Sequence, residues 1–334
     1  MNQDPEPDVC LDLGPGNGPI AVEVRELTKR YGRVWALRDC GFRLPAHRII
    51  ALVGANGAGK STLMSVVSGL LPATAGSVLV DGRPVTSRRR ARADGAAGDG
   101  GSRVAILGQD KPLYRDFSAA DMLRFGRWTN RVWDQRRALA WLARFEVPLD
   151  RPCARLSGGQ RTQVALAVAL GTRPTLLLLD EPLADLDPVA RTEVAGELLA
   201  EAADGGMTVV LSTHVVAELA GISDHLLLLA GGRPVLAGGT EELLARHVRL
   251  SGPRAERPPL AGTVVRARHT DRQSTFTVRL PGATPADTAG RADAAGGARV
   301  TAPGWSARPV PLDDLVISYL RASGTAPLGL EAAA

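Results

Sequence analysis

The chain has 334 residues, 45% of them hydrophobic and 4% aromatic, with a formal net charge of +5. That length suits one large domain plus a smaller one, with a core built mostly from Leu, Val and Ala. So small a charge excess gives no argument for a nucleic-acid partner. The three cysteines, Cys10, Cys40 and Cys153, are too far apart for a CxxC or Cys/His metal pattern and suit a reducing compartment. Lysine is scarce: Lys29, Lys60 and Lys111 stand among 40 basic residues, the rest being arginine.

The first 20 residues are rich in Pro, Gly and Asp and open on the acidic stretch MNQDPEPDVC, which predicts disorder and no signal peptide. Apolar elements follow at 20–26 and, past the turn at Tyr31-Gly32, at 34–42. Residues 48–53 (RIIALV) lack polar alternation and read as a strand buried on both faces. Similar runs stand at 176–179, 208–211 and 226–230, with helical patterns at 61–69, 189–203 and 215–219 between them. Strand alternating with helix predicts an α/β domain with a parallel core. Residues 87–103 are basic and Gly/Ala-rich without interleaved aromatics, which favours a solvated connection over a nucleic-acid patch. Residues 118–147 read as a helical subdomain carrying three of the five tryptophans. A Pro-rich linker is predicted over 251–259. β-Branched strands at 263–269 and 275–280, a flexible stretch over 282–298 and an amphipathic helix over 311–322 follow. No apolar run approaches the roughly 18–20 residues that cross a bilayer, so work at a membrane requires a partner that spans it.

Gly54, Ala55, Asn56, Gly57, Ala58, Gly59, Lys60, Ser61 and Thr62 spell GANGAGKST, which fits G-x-x-x-x-G-K-[ST] between a strand and a helix. Glycines let successive N–H groups turn toward phosphate oxygens, and the helix start adds partial positive charge. Lys60 can reach the β- and γ-phosphates, and the Ser61 hydroxyl can ligate Mg²⁺. The run 176–180 (LLLLD) ends in Asp180 and Glu181. Asp180 is a candidate to hold the metal and Glu181 to act as general base toward water.

In residues 156–160 (LSGGQ), Ser157 reads as an N-cap and Gly158-Gly159 as the lead into a helix from Gln160, and a helix start with bare N–H groups is an anion site. LSGGQ, with Ser157 standing 97 residues beyond Lys60 and shortly before LLLLDE, resembles the signature of the ABC ATPase family. The resemblance covers about residues 22–248. It implies an α/β P-loop NTPase (RecA-like) ABC cassette at 21–248 with a helical subdomain at about 110–160. A small β-rich C-terminal extension at 249–334 would follow. It further implies ATP and Mg²⁺ as ligands and two copies that sandwich two ATPs, each copy's Ser157–Gln160 facing the partner's γ-phosphate. Tyr31 then resembles the aromatic that stacks on adenine, Gln109 the glutamine near the magnesium and the attacking water, Asp187 a residue crossing between copies, and His214 the switch histidine at the γ-phosphate. The other four histidines are expected to be surface or packing residues. Pro182-Leu183-Ala184-Asp185 departs from the family, where Thr/Ser-Ser/Ala-Gly more often follows the proline.

Residues 110–123 and 312–320 resemble segments of bacterial ABC-2-type exporter ATPases. That likeness implies an exporter motor: a homodimer at the cytoplasmic face of the membrane, bound to a separate ABC-2-like permease, with no nucleic acid and no membrane span of its own. The alternative is a non-transport ABC ATPase acting on DNA or ribosomes. A single cassette and a spacing too short for a long coiled coil argue against it.

Overall fold

In the computed structural model, the residues described are 18–85, 103–216, 221–281 and 302–324. The expectations for residues 1–17, for 87–102, for the end of the 215–219 helix and for the flexible stretch at 282–298 lie outside them.

All five residues of β3 (Ile49–Val53) are buried, because the strand is central in a sheet covered on both faces. It pairs in parallel with β8 (Thr208–Thr213) and β9 (His225–Ala230). β8 pairs with β7 (Leu176–Asp180), and β7 with β6 (Val104–Leu107), again in parallel. β10 (Arg233–Gly239) closes the far edge antiparallel to β9, giving the order β10-β9-β3-β8-β7-β6. Strand alternation divides the core. Ile50, Leu52, Leu176, Leu178 and Val210 face helix α1 (Lys60–Val67) and an antiparallel sheet. Ile49, Ala51, Val53, Leu177, Leu179 and Val209 face the helical side.

The antiparallel sheet has the order β2-β1-β4-β5, from β1 (Ile20–Tyr31), β2 (Val34–Pro45), β4 (Ala75–Val80) and β5 (Arg83–Pro84). Its β1–β2 hairpin turns at Gly32, whose φ of 57° favours glycine. On the other side lie α2 (Ala119–Thr129), α3 (Gln135–Arg144), α4 (Gly158–Gly171) and α5 (Pro188–Gly205). Ser118 starts α2 with a reciprocal capping box to Asp121. Trp133 wedges between α2 and α4: a Cβ on Gly126 or Gly171 would lie 2.5 or 2.6 Å from its ring. Among the described residues, no helix is long and apolar enough to cross a membrane.

The C-terminal part is a four-stranded antiparallel sheet in the order β12-β13-β11-β14. Its strands are β11 (His247–Pro253), β12 (Thr263–His269), β13 (Gln273–Arg279) and β14 (Ser306–Pro309). The linker predicted from residue 251 starts too early: residues 251–253 pair with both β13 and, at Ser251, β14. Proline is tolerated at the strand's end, where Pro253 is its last residue. One face of this sheet packs Val248, Leu250, Phe276 and Val278 into a small core of its own. The opposite face meets the terminal helix α7 (Leu312–Ala322) through polar contacts: Arg249 to Asp314, and Thr277 Oγ1 to Ser318 Oγ at 3.3 Å. The apolar side of α7, with Leu315, Val316 and Leu320, joins the main core of the large domain.

His247 sits at this junction, 3% exposed. Its Nδ1 donates to Leu243 O in α6 (Thr240–Ala245) at 2.6 Å, and its Nε2 accepts from the Tyr319 hydroxyl at 2.9 Å. Burial pushes its pKa down from 6.5 to about 4, with Arg279 and Arg246 adding repulsion and the Leu243 carbonyl opposing. Below pH 6.5 the unfolded chain takes up a proton that the folded one refuses, so stability falls with pH until about 4. Between pH 7.5 and 5.5 the loss attributable to this group is roughly 1 kcal/mol. Denaturant unfolding of the full chain is expected to show it, with a smaller pH slope over that window in His247→Phe.

Candidate active site

The parallel register sets the site. Val53 lies level with Thr213, Ser212 with Asp180, and Leu179 with Leu107. The loops leaving β3, β8, β7 and β6 therefore emerge along one edge of the sheet, where ligands of such folds bind.

From β3, residues 54–59 curl toward α1. Gly57 and Gly59 have φ of 80° and 102°, a region side chains rarely adopt. Gly59 is further constrained because a Cβ there would lie 2.5 Å from Ala36 O on β2. Gly54 has no room either, with Leu229 O at 2.5 Å from the same hypothetical atom. Helix α1 starts without a side-chain cap or an acidic residue in its first turn, leaving N–H groups at its start for an anion. Lys60 is 6% exposed. Its Nζ donates to Gly54 O at 2.7 Å and Ala55 O at 3.3 Å and lies 4.0 Å from Glu181 Oε1. Burial lowers its pKa, while Glu181 and Asp180 counter that. Asn56, Gly57 and Ser61 are exposed, whereas Thr62 is half-buried and Ala58 buried.

Asp180 is buried at the end of β7. Its Oδ1 accepts from Ser212 Oγ at 2.5 Å, and the same hydroxyl accepts from Glu181 N at 3.0 Å. Glu181 has φ of 49°, a strained value for a side chain of this kind. Its carboxylate thereby stands between Lys60 and His214, whose Nδ1 is 3.0 Å from Oε1. A cavity of about 150 Å³ opens beside it, lined by Glu181, Ala184, Arg191, Thr213 and His214 among others. Ser212 was not singled out by sequence reasoning; the only signal was a hydroxyl aligned with the acidic end of the neighbouring strand.

Gln109 is exposed two residues past β6. Tyr31 is 50% exposed at the tip of β1, with Lys29 Nζ 5.1 Å from its ring centroid. The hairpin also presents Trp35, 41% exposed and stacked with Arg30. This second aromatic was missed because it reads as an ordinary strand residue.

The remaining candidates form a separate group. Ser157 caps α4: its Oγ accepts from Gln160 N, and Gln160 Oε1 accepts from Ser157 N, both at 3.1 Å. Gly158 abuts Asp185, and Gly159 abuts Leu186. Asp187 caps α5, its Oδ1 accepting from Val189 N and Ala190 N at 3.0 Å each. A cleft of about 690 Å³ beside them is lined by residues 157–160 and 185–187 and by no residue of the 54–62 loop. One chain thus carries two separate groups of the candidate residues: the 54–62 loop, Asp180, Glu181 and His214 in one, the start of α4 with Asp187 in the other.

Residues 37–184 match the family model described as ABC transporter. The Nod factor export ATP-binding protein I of Sinorhizobium fredii is 33% identical over 241 residues, covering 71% of this chain and 68% of that protein. The chain belongs to the ABC transporter family, as one of its ATP-binding subunits. The nickel import ATP-binding protein NikO of Rhodobacter capsulatus is 38% identical, covering 69% of this chain and 93% of that protein. A solved subunit of the cbiONQ ABC transporter complex from Clostridium perfringens is 28% identical, with a TM-score of 0.58 over 68% of this chain and 91% of that one. Like other ABC cassettes, the chain is an ATPase.

Two substitutions probe this ABC site. In Gly59→Ala, the methyl group meets Ala36 O in a backbone conformation already unfavourable for alanine. Loss of ATP binding is expected in a fluorescent-nucleotide titration. In Ser212→Ala, buried Asp180 and the Glu181 amide lose a shared partner, at a cost of about 1–3 kcal/mol. Denaturant unfolding should report that cost, and ATP turnover should fall with it.

Proposed function

We propose that this ABC ATPase holds ATP with Tyr31 and residues 54–62, and that Glu181 is the general base of hydrolysis. The single observation that carries the reading is the carboxylate of Glu181, fixed by Ser212 through its own backbone and set between Lys60 and His214. The phosphates rest on the N–H groups of the loop and the start of α1, with Lys60 as a point charge. The oxygen of an attacking water forms the new bond to the γ-phosphorus as the bond to the β-phosphate oxygen breaks. Glu181 accepts the water's proton, and ADP and phosphate leave. His214 holds the Glu181 carboxylate and senses the γ-phosphate.

Ser61, Gln109 and Asp180 offer hydroxyl, amide and carboxylate oxygens, a donor set that fits Mg²⁺. Among the described residues, no cluster of three or more His, Cys, Asp or Glu could hold a metal alone. When bound with the nucleotide, such an ion would neutralise charge developing on the phosphates. Residues 157–160 and Asp187 serve the nucleotide of a second copy, so two chains close around two ATPs.

The cassette, expected over 21–248, gives way at His247, where β11 opens the C-terminal extension expected over 249–334; its helix α7 docks on the cassette. The motor works at the cytoplasmic face of the membrane with an ABC-2-like permease, in the direction of export. Relatives named for import and for export are similarly close. The direction therefore rests on residues 110–123 and 312–320, which resemble ABC-2-type exporter ATPases.

Glu181→Gln is expected to lower ATP turnover at least about 100-fold while ATP binding persists, and to trap an ATP-dependent dimer in analytical ultracentrifugation. Unchanged turnover would remove Glu181 from the role of base. Recovery of the native protein with ribosomes or DNA, and never with a membrane protein, would overturn the transport role.

A further inference from the structure

All three lysines of this arginine-rich chain are buried: Lys29 and Lys111 are 9% exposed and Lys60 6%. Each donates to a defined acceptor, Pro72 O for Lys29, Gly54 O for Lys60 and Asp185 Oδ2 for Lys111. An ammonium is compact enough for such places, where a planar guanidinium demands more room and more acceptors. Lys29 supports the antiparallel sheet and Lys60 the phosphate loop. Lys111 has no part in the roles assigned so far.

Lys111 stands two residues past Gln109, at a φ of 44°, with its N–H donating to Gly108 O at 3.0 Å. That tight turn directs its side chain across to the loop after Glu181, where Nζ meets Asp185 Oδ2 at 2.5 Å. Lys111 in turn lowers the pKa of the Asp185 carboxyl. Asp185 borders Gly158, its neighbour Leu186 borders Gly159, and Asp187 follows as the cap of α5. Two further ion pairs follow the same polarity. Arg137 and Arg144 on α3 meet Glu201 and Glu197 on α5, the latter pair at 2.8 Å. Cations of the helical side thus hold the acidic loop-and-helix unit that begins at residue 185.

We propose that Lys111 and Asp185 are positioning residues that tie the segment following Gln109 to the loop flanking the start of α4. Displacement of that segment is then transmitted to residues 157–160 and Asp187, the half-site offered to a second copy. The inference rests on the reading that residues 157–160 and Asp187 complete a second copy's site.

The test is a double-mutant cycle of Lys111→Met and Asp185→Asn in the full chain. It is read as ATP turnover, as ATP-driven dimerisation in a Glu181→Gln background, and as ADP affinity at protein concentrations where the chain is monomeric. Each single substitution is expected to raise the ATP concentration needed for dimerisation about tenfold and to lower kcat comparably. The double variant should be no worse than the more affected single, and ADP affinity should stay within about twofold of the parent. Singles that behave as the parent, losses that multiply in the double variant, or a parallel loss of ADP affinity would each overturn the proposal. Failure of the Glu181→Gln parent itself to dimerise with ATP would instead strike the two-copy reading, and the proposal with it.

Discussion

The parallel pairing of β3, β8 and β7 is the constraint on which the rest of the structure depends. It sets Val53 level with Thr213 and Asp180 level with Ser212. Three chain segments far apart in sequence thus deliver a lysine, two acids and a histidine to one edge. A slip of one residue in any of these strands would turn its apolar side chains to the opposite layer, since alternate residues face different cores. The hydrophobic pattern that builds the two cores therefore also fixes the register of the site. Stability and chemical alignment are enforced by the same side chains.

Within that frame, the local strain has an evident purpose. Glu181 is one of the few non-glycine residues at positive φ, and it follows directly on a strand whose last residue, Asp180, is buried. Continuing in an extended conformation would carry the next side chain along the strand. The turn into the left-handed region instead places the carboxylate beside Lys60 and His214. Ser212 stabilises both consequences, donating to Asp180 and accepting from the Glu181 amide. A buried carboxylate without such a partner would be costly.

Much of this was legible in the sequence, because the informative elements are fully buried strands. Runs such as IIALV and LLLLD lack polar residues until their ends, and those ends are where the chemistry stands. The GANGAGKST loop was legible for a related reason: its glycines answer to two positive φ values and to two backbone oxygens that leave no room for a Cβ. What was not legible depends on distant partners. Ser212 is a plain strand serine until the register sets it opposite Asp180. Lys111 is one charge in a polar stretch until the turn at Gly108 aims it at Asp185. The linker boundary failed because Ser251, Gly252 and Pro253 look like loop residues. Their pairing with β13 overrides that local preference.

The terminal helix joins two parts of the chain that composition alone would separate. Its apolar side enters the core of the large domain, while Asp314, Ser318 and Tyr319 face Arg249, Thr277 and His247 of the small sheet. Among the described residues, that sheet has a small core of its own around Phe276 and Val278, while the face toward α7 carries polar contacts. Burial of α7 in the large domain therefore contributes to holding the sheet in place. The polar face binds sheet to helix, and the apolar face binds helix to cassette. His247 lies where these contacts meet and is buried in its neutral form. The junction accordingly loses stability as the medium turns acidic, whatever happens at the nucleotide edge.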